Sequence, residues 1–292
     1  MENSVILGAF DKLVQDSIVF YDEDQKIVQH NEGKLTFSFV LTRALLKKPT
    51  FENKTEQSDQ SKNEMQLRPG SDINTNGFEI GNVGESHVIV VNKFAFARPH
   101  LMLVSSDGYR RQFEPLDLID LEAVWSSVMS MSNDYIAFYN CGRDSGCSRL
   151  HKHIQLMPMP TMSFASFLDI EGGKETEVPY IWAYKRFASG AITATNLVEI
   201  YNLLLKEATH VYTKATGKES SIQAGVAIPH NMILSKRWMV VLPRRQAAIN
   251  KEAGANALGM LGVIAVATQN EIDNWVQSGL IESLKALGVP RF

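Results

Sequence analysis

Residues 140–158 read NCGRDSGCSRLHKHIQLMP, with histidine, histidine and glutamine at every second position after a loop of glycine and serine. Strand side chains alternate between faces, so in a strand over 150–157 His151, His153 and Gln155 share one side while Lys152, Ile154 and Leu156 take the other. An imidazole beside a second imidazole, an amide and a loop of free N–H groups suits attack on phosphorus and stabilisation of the displaced charge. In the loop 142–148, glycine lets backbone amides approach an anion and Ser145 and Ser148 add hydroxyl donors, although the same residues also make an ordinary turn. The pattern favours nucleotidyl transfer through a phosphohistidine. A His-x-His pair is also half of a metal site, but Cys141 and Cys147 do not stand at CxxC spacing and the chain has no other cysteine. No GxSxG and no GxxxxGK[ST] occurs, which argues against a serine hydrolase and a Walker-type phosphate loop.

The elements that must carry this stretch are legible around it. An amphipathic helix is expected over 4–15, and GKLTFSFVLTRALL alternates so that Leu35, Phe37 and Phe39 share a face. Residues 50–76 turn sharply polar and read as a flexible surface loop. HVIVVNKF and HLMLVSS read as strands, Glu114-Pro115 opens a helix over 116–135, and 135–139 is a strand leading into the glycine loop. A helix over 194–216 precedes HNMILSKRWMVVLPRR, two strands turned at Ser235, Lys236 and Arg237, and a last helix over 270–287 stops at Gly288. Strand pairs interleaved with helices predict an α+β fold. We expect one catalytic unit over 1–292, with 195–292 completing the site.

The chain has 292 residues, 45% hydrophobic and 21% charged, with a net charge of −3 and a pI near 6.2. That balance argues against a nucleic-acid-coating protein, while a local Lys and Arg cluster would serve a small polyanion. Two cysteines imply a reducing compartment, and MENSVILGAFDKLVQD has no basic stretch before an apolar run, so a cytoplasmic or nuclear location is expected. The longest apolar run, 257–267, is short of the roughly 20 residues of a membrane span.

The run SGCSRLHKHIQ, with Asn140 and Gly142 ahead of it, resembles the histidine-triad superfamily, in the His-x-His-x-Gln branch shared by galactose-1-phosphate uridylyltransferases and diadenosine tetraphosphate phosphorylases. ALLKKP, VVNKF ahead of PHLMLV, HNMILSKRWMVVLPRR, NALGMLGVIAV and LKALGVP look like the fungal-type phosphorylase, spread from residue 44 to 290. Lys152 stands where uridylyltransferases carry proline, which counts against the sugar enzyme. The resemblance implies an antiparallel sheet with flanking helices.

It also implies that His153 attacks the α-phosphorus of diadenosine tetraphosphate, expelling ATP and holding AMP until inorganic phosphate takes it as ADP, or the reverse as an ATP adenylyltransferase. His151 would orient the site and Gln155 would bind the transferring phosphate, glutamine there going with transfer more than with hydrolysis. Substrate contacts would come from Asn140, Ser145, Gly146, Cys147, Ser148 and Arg149, from Gly225, Val226, Ala227, Asn231 and Met232, and from Lys47 (or Lys48), Lys93 and Lys236, with Lys152 and Arg237 as further cations. A divalent cation, Mg²⁺, would enter with the polyphosphate, with no dedicated metal ligands and no organic cofactor. Exchange of the AMP of adenylyl sulfate for phosphate would use the same intermediate. Cys147 in the loop and the low proline content of 50–76 depart from the relatives. The rival readings are a dinucleoside polyphosphate hydrolase and a nucleotide-binding protein without turnover.

Overall fold

In a computed structural model that describes residues 3–48, 67–188, 192–217 and 225–291, the chain opens with helix α1 (Asn3–Gln15), which buries Ile6 and Phe10. The hairpin β1 (Lys26–Glu32) and β2 (Leu35–Leu41) follows, then β3 (Glu79–Val83), β4 (His87–Val91), β5 (Leu101–Ser105) and α2 (Leu118–Ser130). Next come β6 (Tyr135–Cys141), β7 (His153–Pro158), β8 (Ala183–Arg186) and α3 (Ala194–Thr216). The hairpin β9 (His230–Leu234) and β10 (Trp238–Pro243) leads to the single turn α4 (Ala257–Met260), β11 (Val263–Val266), α5 (Gln269–Ser278) and α6 (Leu280–Leu287). Among the described residues no helix is long and apolar enough to cross a membrane.

Eight strands form one sheet in the order β3-β4-β5-β7-β6-β9-β10-β8, every neighbouring pair antiparallel. The histidine-bearing strand β7 is therefore central, with Leu103 opposite Ile154 on one side and Phe138 opposite Gln155 on the other. Alternation sorts the two faces. Ile154, Leu156, Tyr139, Met232 and Leu234 pack against α1, α2 and α3, joining Phe10, Leu121, Val124, Leu197 and Tyr201 in one core. Ile136, Phe138, Met157, Ile233 and Val240 face a second core, which holds Phe37 and Phe39 of the small sheet β1-β2-β11 together with Trp275 and Leu284. Each such fully buried side chain stabilises the fold by about 1.5–3 kcal/mol. Capping boxes start α2 at Asp117 with Asp120 and α3 at Thr193 with Asn196, and both satisfy amide groups that the first helical turn leaves without partners.

Three expectations change, and a fourth falls largely outside the described residues. The helix expected over 116–135 ends at Ser130, because residues from Tyr135 onward are wholly buried as the strand β6. The last helix is two, interrupted at Gly279, whose φ of 75° lies outside the helical region and is one that glycine adopts without steric cost. The strand expected from 150 begins at His153, His151 making an isolated bridge to Arg111. The loop expected over 50–76 lies outside the described residues as far as 66. Its end is tethered: the Asp72 carboxylate accepts from the Leu150 and His151 amides, and Ser71 meets the His151 ring.

Candidate active site

His153 is nearly fully buried at the start of β7, and its Nδ1 lies 2.8 Å from the His151 carbonyl oxygen. A ring nitrogen facing a carbonyl must carry the proton, so Nε2 keeps its lone pair, and no described residue hydrogen-bonds to it. Burial pushes the imidazole pKa down to about 4, with the His151 carbonyl bond opposing part of that shift. The free ring is thus neutral and nucleophilic at neutral pH.

Two residues further along the same face, the Gln155 Oε1 lies 2.9 Å from His100 Nε2. Donation from that ring fixes the amide and leaves its NH₂ for another acceptor. His100 is buried as well, and its pKa is likewise lowered by burial to about 4. His151 is buried without lining the cavity: its Nε2 donates toward the Asp107 carbonyl and Ser105 Oγ, and its Nδ1 meets the Ser71 hydroxyl at 2.7 Å. It ties the 67–76 segment to the start of β7, while its own carbonyl orients His153.

His153, Gln155 and His100 open on a cavity of about 650 Å³ between the large sheet and the β11 side of the small one. Phe78, Phe94 and Phe96 give it an apolar wall, and Lys48, Lys93 and Arg149 supply cations. The Lys48 ammonium pKa is lowered, chiefly by desolvation of the ammonium and then by the Arg149 charge. Gly146, Cys147 and Ser148 line the cavity from the loop. Gly146 has φ 89°, and a Cβ there would stand 2.8 Å from the Ala255 carbonyl oxygen, so both the backbone conformation and the close approach to residue 255 require glycine. Burial raises the Cys147 thiol to about 11, so it stays protonated and is no competing nucleophile.

Asn140, Ser145 and Asn231 stand behind this loop. Asn140 Oδ1 accepts from Asn231 Nδ2 at 2.8 Å and the Ala257 amide at 2.9 Å, and Asn231 also donates to the Ser145 carbonyl. Arg244, fully buried, donates to Asn231 Oδ1 at 2.7 Å and to the carbonyls of Ser145, Ala255 and Leu287. Desolvation lowers its pKa to about 9, since neutral carbonyls surround most of the guanidinium. The network joins the loop to the C-terminal segment that forms the far wall of the cavity.

Several expected contacts lie elsewhere. Lys47 sits 4.1 Å over the Phe20 ring centroid, and its neighbour Lys48 lines the cavity instead. Lys236 belongs to the β9–β10 turn, at the end of the sheet away from His153, and donates to the Met131 and Asn133 carbonyls. Arg237 pairs there with Asp134 and Asp169. Lys152 points to the opposite face, as alternation requires, and meets Asp120. Met232 packs in the helix-covered core. Gly225, Val226 and Ala227 do not line the cavity, and the Ala227 amide donates to the Phe113 carbonyl. The sequence reading missed His100 and Arg244. Each is a single residue with no spacing to tie it to His153; the register of Met102 against Gln155 brings His100 in, and the return of the chain after β10 brings Arg244 to the loop. Among the described residues no group of three or more His, Cys, Asp or Glu side chains is placed to hold a metal ion.

The lowered His153 pKa has a kinetic consequence. With a value near 4, about 99% of the rings are neutral at pH 6, against roughly a quarter for an unperturbed histidine. The kcat/KM profile, which reports the free enzyme, should hold through pH 6 and lose half its value only as the pH falls toward 4. A midpoint at 6–7 in a pH series with a stable reference assay would contradict the buried, neutral ring.

Two family models match the chain: Ap4A phosphorylase N-terminal domain over residues 16–172, and ATP adenylyltransferase C-terminal domain over residues 176–290. Diadenosine 5',5'''-P1,P4-tetraphosphate phosphorylase 2 of Saccharomyces cerevisiae is 27% identical over 230 residues, covering 69% of this chain and 69% of the yeast protein. Protein APA1 of the same yeast is 25% identical over 206 residues, 63% of this chain and 62% of its own length. Among solved structures, yeast Ap4A phosphorylase Apa2 superposes with a TM-score of 0.77 at 18% identity, covering 100% of this chain and 99% of the other. At that identity the likeness establishes the fold.

Proposed function

We propose, from the premise that this chain belongs to the Ap4A phosphorylase family, that it cleaves diadenosine tetraphosphate with inorganic phosphate to give ATP and ADP. The observation that carries the chemistry is His153, its Nδ1 proton held by a carbonyl and its Nε2 open to a cavity containing Lys48, Lys93 and Arg149. Nε2 attacks the α-phosphorus, the P–N bond forms as the P–O bond to the departing ATP breaks, and AMP remains on the ring. Phosphate then attacks the same phosphorus, forming ADP and returning the electron pair to Nε2. Dividing one displacement into two suits an acceptor that need not be bound during the first. Gln155, oriented by His100, donates to a non-bridging oxygen of the transferring group, and the cations hold the polyphosphate. His151 acts through its carbonyl and its anchoring bonds. Gly146, Cys147 and Ser148 present the loop to the phosphates.

A bound Mg²⁺ would screen the polyphosphate charge. We propose that it arrives with the nucleotide, a role the cavity's cationic side chains leave to the substrate's own oxygens. A yeast relative has been crystallised in complex with Ap4A and, separately, with AMP, which fits a site that takes both substrate and transferred group.

The test is an assay of purified protein with diadenosine tetraphosphate and Mg²⁺, with and without phosphate, separating AMP, ADP and ATP. ATP with ADP, appearing only when phosphate is present, is the expected result. AMP with ATP in its absence would make the protein a hydrolase, and no product at all would leave a binding protein.

A further inference from the structure

We propose that Gln112 is a positioning residue, its side-chain carboxamide standing in for a rung of the sheet beside the nucleophile. The β6–β7 ladder runs from Tyr135 opposite Pro158 to Phe138 opposite Gln155, so its continuation would set Asn140 opposite His153. That rung is replaced. Gln112 Oε1 accepts from the His153 amide at 2.7 Å, and Gln112 Nε2 donates to the His153 carbonyl at 3.0 Å and to the Asn140 carbonyl at 3.1 Å. A carboxamide has the acceptor and donor of a peptide group, and this one, buried with the residue 2% exposed, meets both main-chain groups of His153.

The backbone of Gln112 adds a second clamp. Its amide donates to the Leu150 carbonyl at 2.8 Å, and its carbonyl accepts from the Gly142 amide at 2.9 Å. Residues 142 and 150 are the two ends of the glycine loop. One residue therefore fixes the span of that loop and the main chain of the nucleophile in a single frame. A regular rung would draw β6 and β7 to the usual strand spacing of about 4.8 Å, whereas an inserted amide holds them apart where the loop must open. The ring of His153 hangs from this frame twice, through its own Cα and through the His151 carbonyl that holds Nδ1. Misplacement of a reacting atom by about 1 Å costs on the order of 10²-fold in rate.

This inference rests on the phosphorolysis reading for His153 as nucleophile, and its test separates the two. Gln112→Met keeps the length of the side chain and removes all three bonds. Single-turnover transfer of AMP to the protein should slow by ~10²-fold, with nucleotide affinity within about threefold of wild type, since no cavity cation changes. Gln112→Glu keeps the acceptor for the His153 amide but aims a carboxylate at two carbonyls, and regains one donor only when protonated. Burial raises that carboxyl's pKa. The transfer rate of this variant relative to wild type should therefore be low at pH 8 and climb as the pH falls to 6, a change that a packing role does not produce. Wild-type transfer by the Met variant, or a ratio for the Glu variant that is flat with pH, overturns the proposal, and the second criterion decides alone if the Met variant does not fold. Should wild type form no AMP–histidine bond, the phosphorolysis reading fails by itself. Gln112 is then judged on ¹⁵N spectra of the substrate-free protein: a displaced His153 amide resonance and shifted ring titration in Gln112→Met support it, and unchanged spectra overturn it.

Discussion

His153→Ala should lower the rate of phosphorolysis by ~10⁴-fold or more and abolish any trapped AMP adduct, while nucleotide affinity stays within about tenfold, or ~1.4 kcal/mol. The asymmetry follows from the site. Among the described residues, the His153 ring has a carbonyl holding one nitrogen proton and an unpartnered second nitrogen on the cavity, whereas His151 has both nitrogens engaged and His100 turns Nε2 to Gln155. No other imidazole in the constellation can take over the attack. Ground-state binding draws on Lys48, Lys93, Arg149 and the aromatic wall, all present in the variant. Rapid-quench single turnover with labelled nucleotide measures the first quantity and calorimetric titration the second. Retained turnover would remove the phosphohistidine route, and a large loss of affinity would mean the ring binds substrate rather than reacting with it.

Why His153 and Gln155 were legible and Lys236 was not is a matter of which distances a sequence can carry. Residues two apart in a strand share a face whatever the rest of the chain does, so the pair on the cavity and Lys152 on the other side follow from local geometry alone. Helix α3 was equally local, its Thr193 and Asn196 capping box preceding a stripe of Leu197, Tyr201 and Leu204, and its bounds came out as expected. Lys236 was placed by its neighbourhood to Asn231 and Met232, but in a hairpin a five-residue separation is a walk to the other end of the sheet. Asn231 itself reaches the loop only from behind, through Asn140 and Ser145. His100 and Arg244 lie 53 and 91 residues from His153, and only the register of Met102 against Gln155 and the return of the chain after β10 bring them in. The break at Gly279 was misread for a different reason: the apolar spacing on either side suits one helix, and the positive φ is a property of the packed chain.

On the face of the sheet away from the cavity, Asp120→Ala should destabilise the protein by about 3–5 kcal/mol. Asp120 is fully buried, and its carboxylate meets Lys152 Nζ at 2.6 Å, Arg110 at 3.1 Å and His87 Nε2 at 3.2 Å. Burial alone would raise its pKa, but the His87 hydrogen bond and the Lys152 charge hold it well below the usual carboxylate range. Lys152 is itself only 1% exposed, with the Pro115 carbonyl at 2.7 Å and Glu114 at 4.0 Å as its remaining partners. Removing the carboxylate therefore strands an ammonium in the interior on the helix-covered face of the sheet, and also undoes half of the α2 capping box. The cost should come from the abandoned charge more than from the lost attraction. Asp120→Leu combined with Lys152→Met, which removes both charges and keeps the volume, should therefore recover most of the stability of the wild type. Urea unfolding of the single and double variants separates the two contributions. A double variant as unstable as the single would locate the loss in the capping box and the Arg110 and His87 bonds, and a single variant within about 1 kcal/mol of wild type would mean that water reaches Lys152 through the gap and the pair contributes little.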